Sequence, residues 1–84
     1  MSLSRPLLLV IDDEGDAAAL HGAALTRAGY DVRCCTSPLA ALAQLDDVDV
    51  IVTDLSMEEM GGLALCERLR VEAPHIPVIV LTGR

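Results

Sequence analysis

The sequence predicts an α/β protein in which helices cover a parallel β-sheet. Four segments have the length and the apolar or alternating pattern of strands, and the three segments between them carry helical patterns of apolar residues. Strands that alternate with helices form parallel sheets through right-handed crossovers. The composition agrees, because 52% of the 84 residues are hydrophobic and most of these are Leu, Val, Ile or Ala. Such aliphatic residues are typical of strands that are buried on both faces.

The first strand and the first helix are predicted at residues 7–11 and 15–28. The strand is a continuous apolar run that ends abruptly in acids. The helix carries apolar residues at three- and four-residue spacings, which predicts its inward face. The residues of this face are Ala17, Leu20, Ala24 and Ala28. Asp13 or Asp16 is expected to cap the start of the helix, and Gly29 to end it in a left-handed conformation.

The second strand and the second helix follow. Residues 30–34 alternate between apolar and polar side chains, which predicts a strand that is less buried than the first and lies nearer an edge. Ser37 is expected to cap the helix and Pro38 to occupy its first turn. Its apolar contacts are expected from Leu39, Leu42 and Leu45.

The second half of the chain repeats the pattern. Residues 48–53 predict a third strand, which ends in Asp54. Residues 62–70 predict a third helix, and residues 78–81 predict a fourth strand. The inward residues of this helix are expected to be Leu65, Cys66 and Leu69.

Charge and composition argue against several classes of function. The net charge is −7 and all six basic residues are Arg, so we expect no direct contact with nucleic acid. No apolar run approaches the roughly 18 residues that span a bilayer, and no signal-peptide pattern is present, which predicts a cytoplasmic protein.

Adjacent Cys34 and Cys35 are expected to face opposite sides of a strand, as ordinary free thiols. Residues 1–5 are polar and are interpreted as partly a tag remnant.

Polar residues stand where three of the predicted strands end. Asp12 and Asp13 follow the first strand, Asp54 follows the third, and Thr82 follows the fourth. Ligands of open α/β sheets bind at the carboxyl ends of the strands, so these side chains are expected at one site. Hard oxygen ligands without histidine favour Mg²⁺ or Mn²⁺ over Zn²⁺. Asp54 is either a metal ligand alone or also a nucleophile towards a phosphoryl group, whose oxygens Thr82 would contact.

Three segments together resemble the receiver domains of two-component response regulators. Residues 7–16 (LLLVIDDEGD) resemble their first strand and acidic pair, and residues 50–63 (VIVTDLSMEEMGGL) resemble their phosphoacceptor strand and loop. Residues 77–83 (PVIVLTG) resemble their fourth strand and switch hydroxyl. The resemblance covers essentially the whole chain. It implies a flavodoxin-like, doubly wound sheet with strand order 2-1-3-4.

The resemblance also implies a role for each site residue. Asp54 would be the phosphorylated aspartate, and Asp12 and Asp13 would bind Mg²⁺. The backbone carbonyl of Ser56 would complete the protein ligands, and Thr82 would be the switch hydroxyl. The chain would then be a signalling module and not an enzyme. It would accept the phosphoryl group from a sensor histidine kinase or a phosphotransfer protein and control an output domain or partner.

The sequence departs from the family in its loop and in its extent. Glu58 stands at the usual proline position, and Gly61 stands where an aspartate often precedes the glycine. The fifth strand, its lysine and the last two helices of receivers have no counterpart before Arg84. We therefore expect residues 1–84 to be the N-terminal two-thirds of a receiver domain. The fourth strand would then be an exposed edge that favours self-association.

The residues after the first strand also bear on other functions of α/β proteins. A phosphohydrolase of the haloacid dehalogenase type needs D-x-D after the first strand, and a dinucleotide-binding domain needs G-x-G-x-x-G there. Neither motif follows the first strand, where the sequence reads Asp12-Asp13-Glu14. A pseudo-receiver, which keeps the fold and acts as an interaction module without phosphorylation, remains open. The absent lysine and the altered loop favour it, whereas Asp12, Asp13, Asp54 and Thr82 favour phosphorylation.

Overall fold

The computed structural model describes residues 5–54 and 60–81 of the chain. Within them, strands and helices alternate as the sequence predicts. In chain order the elements are β1 (Leu7–Ile11), α1 (Gly15–Arg27), β2 (Asp31–Cys35), α2 (Pro38–Ala41), β3 (Val50–Asp54), α3 (Gly62–Glu72) and β4 (Val78–Leu81). Strands β1 and β4 have the predicted bounds, whereas β2 and β3 begin one and two residues late. None of the helices in this part of the chain has both the length and the apolar character needed to cross a bilayer.

The four strands form one parallel sheet in the order β2-β1-β3-β4. This confirms both the predicted order and the edge position of β2. The register places Ile11 opposite Thr53, and Asp54 opposite Leu81. Strands β1, β3 and β4 therefore end at the same edge of the sheet, which is where the acids follow β1 and β3.

The main core lies on one side of the sheet. Its buried side chains come from the strands, from α2 and α3, and from the turns that flank them. They are Leu9, Ile11, Cys35, Ala41, Val48, Ile51, Leu65, Leu69, Ala73 and Ile76. Leu65 and Leu69 are buried as predicted, and Cys66 is half-buried. Helix α1 packs against β2 and β1 on the other side, where Leu8 and Val10 are buried.

The predicted inward face of α1 is wrong. The structure buries Ala18 and Gly22, whereas Leu20 is 71% exposed and Ala24 and Ala28 are also exposed. An ideal Cβ placed on Gly22 would lie only 2.7 Å from the Sγ atom of Cys34. The helix thus approaches β2 closely through its two smallest inward residues. Close approach, and not the count of apolar side chains, decides which face turns inward.

Both ends of α1 also differ from the prediction. The N-cap residue is Glu14, not Asp13 or Asp16, and the Oδ1 atom of Asp12 accepts a hydrogen bond from the Glu14 N–H at 3.0 Å. The helix ends at Arg27, one residue earlier than predicted. Gly29 follows with φ of 107°, which confirms its predicted left-handed conformation.

Helix α2 confirms its predicted start but is shorter than its apolar pattern indicates. The Ser37 side chain accepts a hydrogen bond from the Ala40 N–H at 3.1 Å, and Pro38 is the first helical residue. The helix ends at Ala41, so two of the three predicted apolar contacts come from residues that follow it. Leu39 is 48% exposed, whereas Leu42 and Leu45 are half-buried against the core.

Gly22→Ala is expected to destabilise the protein by about 1–2 kcal/mol, because its methyl group would overlap the Cys34 sulfur. This loss outweighs the gain of about 1 kcal/mol that alanine has over glycine inside a helix. Urea unfolding followed by circular dichroism measures the change. In a Cys34→Ala background the same substitution is expected to be neutral or stabilising, since the sulfur is gone. A stabilising effect of Gly22→Ala with Cys34 present would contradict the expected clash and would mean that the Cys34 sulfur rotates away at little cost.

Candidate functional site

The end of β1 holds Asp12 in a fixed position at the edge of the sheet. The backbone N–H of Asp12 donates to the carbonyl of Cys35 at 3.1 Å, so the pairing with β2 continues one residue beyond the strand. Its side chain is only 5% exposed, and one carboxylate oxygen accepts the Glu14 N–H. Strand β2 therefore holds the backbone of Asp12, and the turn into α1 holds its carboxylate through the Glu14 N–H.

Two further carboxylates lie beside it. Asp13 follows directly in the turn, and Asp54 is the last residue of β3, the neighbour of β1 in the sheet. Both side chains are half-buried. One carboxylate oxygen from each of Asp12, Asp13 and Asp54 lies within 4.8 Å of the other two. We call these three residues the acid cluster.

Two residues with predicted roles lie outside the described residues. These are Ser56, with its backbone carbonyl, and Thr82, the predicted switch hydroxyl. The two loop acids Glu58 and Glu59 also lie outside them. Of the predicted site residues, the structure thus brings together the three aspartates.

The acid cluster has the donor set of a site for a hard divalent cation. Repulsion between two carboxylates at such a separation is on the order of 1 kcal/mol, because solvent screens the half-buried side chains of Asp13 and Asp54. A bound cation would replace this repulsion by attraction. Octahedral Mg²⁺ with bonds of about 2.1 Å keeps its ligand oxygens roughly 3 to 4.2 Å apart. The cluster therefore fits Mg²⁺ or Mn²⁺ after a small contraction, and its lack of sulfur and nitrogen disfavours Zn²⁺.

Thr53 is a residue of this region that the sequence did not single out. Its side chain is wholly buried, at 0% exposure, and its hydroxyl lies 3.1 Å from the backbone carbonyl oxygen of Asp54. In the sequence, a threonine near the end of a strand indicates only a β-branched residue that suits a sheet. The only feature of the sequence that could have pointed to Thr53 is its hydroxyl, which stands between the apolar residues 50–52 and the acid Asp54.

Comparison with known proteins gives the family. The family model of the response regulator receiver domain matches residues 8–84. The transcriptional regulatory protein GlrR of Escherichia coli is 38% identical over 85 residues, which cover 99% of this chain and 19% of GlrR. The chain thus spans about a fifth of the length of this curated relative.

Solved structures agree with the fold. The chemotaxis protein CheY4 of Vibrio cholerae superposes with a TM-score of 0.87 at 26% identity, over 96% of this chain and 71% of CheY4. The response regulator TrrA of Thermotoga maritima, in complex with Mg²⁺–BeF, has a TM-score of 0.87 at 25% identity. The match covers 94% of this chain and 70% of TrrA. TrrA has also been solved in complex with the histidine kinase ThkA. The matched chain of that complex has a TM-score of 0.84 at 25% identity, over 93% of this chain and 69% of its own length.

These matches confirm the flavodoxin-like fold that the motifs predict, with its doubly wound sheet in the order 2-1-3-4. They include a transcriptional regulatory protein, a chemotaxis protein and a response regulator that has been solved with a histidine kinase. The family model covers nearly all of the chain, and the sheet that it implies is the one observed. The chain therefore belongs to the response regulator receiver domain family.

Proposed function

We propose that this chain is a signalling module that accepts a phosphoryl group on Asp54 in a reaction that requires Mg²⁺. The donor is a phosphohistidine of a sensor histidine kinase or of a phosphotransfer protein. The observation that carries the proposal is the acid cluster, which joins a carboxylate at the end of β3 to two that follow β1. The histidine kinase complex and the Mg²⁺–BeF complex of TrrA support it by analogy.

The residues that would hold the cation are Asp12, Asp13 and Asp54, with the backbone carbonyl of Ser56. Mn²⁺ would suit the same ligands. When bound, the cation supplies positive charge that offsets the charge of the phosphoryl oxygens. The Asp12 carboxylate is buried and accepts the Glu14 N–H, so its position at the edge of the sheet is defined before a cation binds.

The transfer step is a substitution at phosphorus. A carboxylate oxygen of Asp54 attacks the phosphorus atom in line with the bond to the histidine nitrogen. An O–P bond forms, the N–P bond breaks, and its electron pair returns to the imidazole. The product on this chain is an acyl phosphate. Thr82 would contact the new phosphoryl oxygens and shift a pre-existing equilibrium between inactive and active conformations, which an output domain or partner would detect.

The uptake of phosphate from a small donor tests the proposal. The full-length protein is incubated with acetyl phosphate, with Mg²⁺ in one sample and excess EDTA in the other, and its intact mass is measured. The proposal predicts that one phosphoryl group is added with Mg²⁺ and none with EDTA. A wild-type protein that stays unmodified with Mg²⁺ would contradict it.

A pseudo-receiver is the second candidate function. The loop favours it, because Glu58 and Gly61 replace residues that are usual in the family. Such a module would bind its partner through the fold alone. Partner binding that is unchanged by acetyl phosphate, together with no mass change, would support this candidate over phosphoryl acceptance.

We also propose that residues 1–84 form the N-terminal two-thirds of a receiver domain, consistent with their match to 71% of CheY4. Within the described sheet, β4 pairs on one side only, with β3, and Ile79 in it is 53% exposed. An outer apolar strand offers unpaired backbone groups to another chain.

The isolated 84-residue chain is therefore expected to self-associate through β4. Light scattering coupled to size-exclusion chromatography is expected to give a mass above the 8.9 kDa of one chain, which rises with concentration. A monomer at all concentrations, with a cooperative thermal transition, would contradict this expectation.

A further inference from the structure

A buried hydroxyl group lies directly beside the acid cluster. Among the described residues, only Thr53 and Asp12 are both polar and buried. Asp12 belongs to the acid cluster, whereas Thr53 does not. Thr53 lies in β3 between Ile11 of β1 and Val80 of β4, and its exposure is 0%.

Packing does not explain why this residue is a threonine. Its neighbours in the sheet are aliphatic, and valine has the same branched shape and suits a strand equally well. A buried hydroxyl loses its contacts with water, and this loss must be offset by a hydrogen bond within the protein. The Thr53 hydroxyl lies 3.1 Å from the carbonyl oxygen of Asp54, to which it donates.

This hydrogen bond restrains the residue that carries the reactive carboxylate. The carbonyl of Asp54 belongs to the last residue of β3, which pairs with Leu81 of β4. A bond to the preceding side chain limits rotation of that peptide group about the Cα–C bond of Asp54. The carboxylate branches from the same Cα atom, and the χ1 rotamers open to a side chain depend on the backbone angles beside it. A fixed Asp54 carbonyl therefore limits the directions that the carboxylate can take relative to Asp12 and Asp13.

We propose that Thr53 is a positioning residue for the acid cluster. Its hydroxyl holds the backbone of Asp54 so that the Asp54 carboxylate stays within ligand distance of the other two. The predicted effect on phosphoryl uptake rests on the proposed function. The predicted effect on cation affinity does not, because cation binding is measured without phosphoryl transfer. Thr53 is not a member of the acid cluster and would act on it only through Asp54.

Two substitutions separate this role from a packing role. Thr53→Val keeps the branched shape and removes the hydroxyl, whereas Thr53→Ser keeps the hydroxyl and removes a buried methyl group. The experiment uses the full-length protein. Mn²⁺ affinity is measured by electron paramagnetic resonance, phosphoryl uptake from acetyl phosphate by intact mass over time, and stability by thermal unfolding.

Thr53→Val is expected to weaken Mn²⁺ binding and to slow phosphoryl uptake, each by about three- to tenfold, as for one lost hydrogen bond. Its melting temperature is expected to stay within about 4 °C of the wild-type value. Thr53→Ser is expected to stay within about twofold of the wild type in both functional measurements, although it melts at a lower temperature. The positioning role is supported if Thr53→Ser keeps Mn²⁺ binding and phosphoryl uptake although it melts at a lower temperature than Thr53→Val.

The opposite order would overturn the inference. If Thr53→Ser impairs Mn²⁺ binding more than Thr53→Val, or if neither variant changes it, the hydroxyl does not position the cluster. A wild-type protein that binds Mn²⁺ but takes up no phosphate would refute the proposed function instead. In that case the Mn²⁺ affinities of the two variants still decide the role of Thr53.

Discussion

Asp54→Asn is expected to abolish phosphoryl uptake from acetyl phosphate. Asparagine has nearly the same shape as aspartate, but its amide lacks the nucleophilic carboxylate oxygen that attacks phosphorus. The fold is expected to survive, because Asp54 is only half-buried at the end of β3. Intact mass after incubation with Mg²⁺ and acetyl phosphate measures the loss.

The same substitution is expected to stabilise the protein when no cation is bound. Removing one of three crowded carboxylates relieves repulsion, so we expect a gain of about 1 kcal/mol in the free energy of unfolding. Asp46→Asn is the matched control, because it makes the same charge change at an exposed position before β3 and outside the cluster. Its uptake of phosphate is expected to equal that of the wild type. Retained uptake by Asp54→Asn would show that another residue accepts the group.

Asp13→Asn is expected to weaken Mg²⁺ binding by on the order of 10- to 100-fold, since one charged ligand of the acid cluster is lost. Isothermal titration calorimetry with MgCl₂ measures the affinity. Mg²⁺ stabilises only the state that binds it, so the rise in melting temperature on adding Mg²⁺ should shrink in parallel.

Stability and binding should therefore change in opposite directions in this variant. Without Mg²⁺, Asp13→Asn is expected to melt at or above the wild-type temperature, because repulsion is relieved. Asp31→Asn, an exposed acid at the start of β2 that lies outside the cluster, is the control and should leave the affinity unchanged. An unaltered Mg²⁺ affinity of Asp13→Asn would remove Asp13 from the cation site.

The sequence predicts the sheet well because the strands are set by local patterns. Residues 7–11 and 78–81 are apolar runs with clear ends, and both strands have the predicted bounds. The prediction fails where contacts distant in sequence decide the outcome. The inward face of α1 depends on how closely Gly22 approaches Cys34 of β2, and no periodicity within the helix contains that information.

The acid cluster could be predicted for a similar reason. Parallel strands that are neighbours place their carboxyl ends together, so acids that follow β1 and β3 must meet once the strand order is known. The contribution of Thr53 could not be predicted in this way. Its relevance depends on a hydrogen bond to the Asp54 carbonyl and on complete burial, and both are properties of the folded chain.

Borohydride trapping tests the central claim most directly. Borohydride reduces an acyl phosphate to an alcohol, which converts a phosphorylated aspartate into homoserine and leaves free carboxylates unchanged. The full-length protein is treated with Mg²⁺ and acetyl phosphate, reduced, digested and sequenced by tandem mass spectrometry. The account predicts homoserine at position 54 and unmodified Asp12 and Asp13. Homoserine at another aspartate, or an unmodified Asp54 in protein that has taken up phosphate, would contradict it.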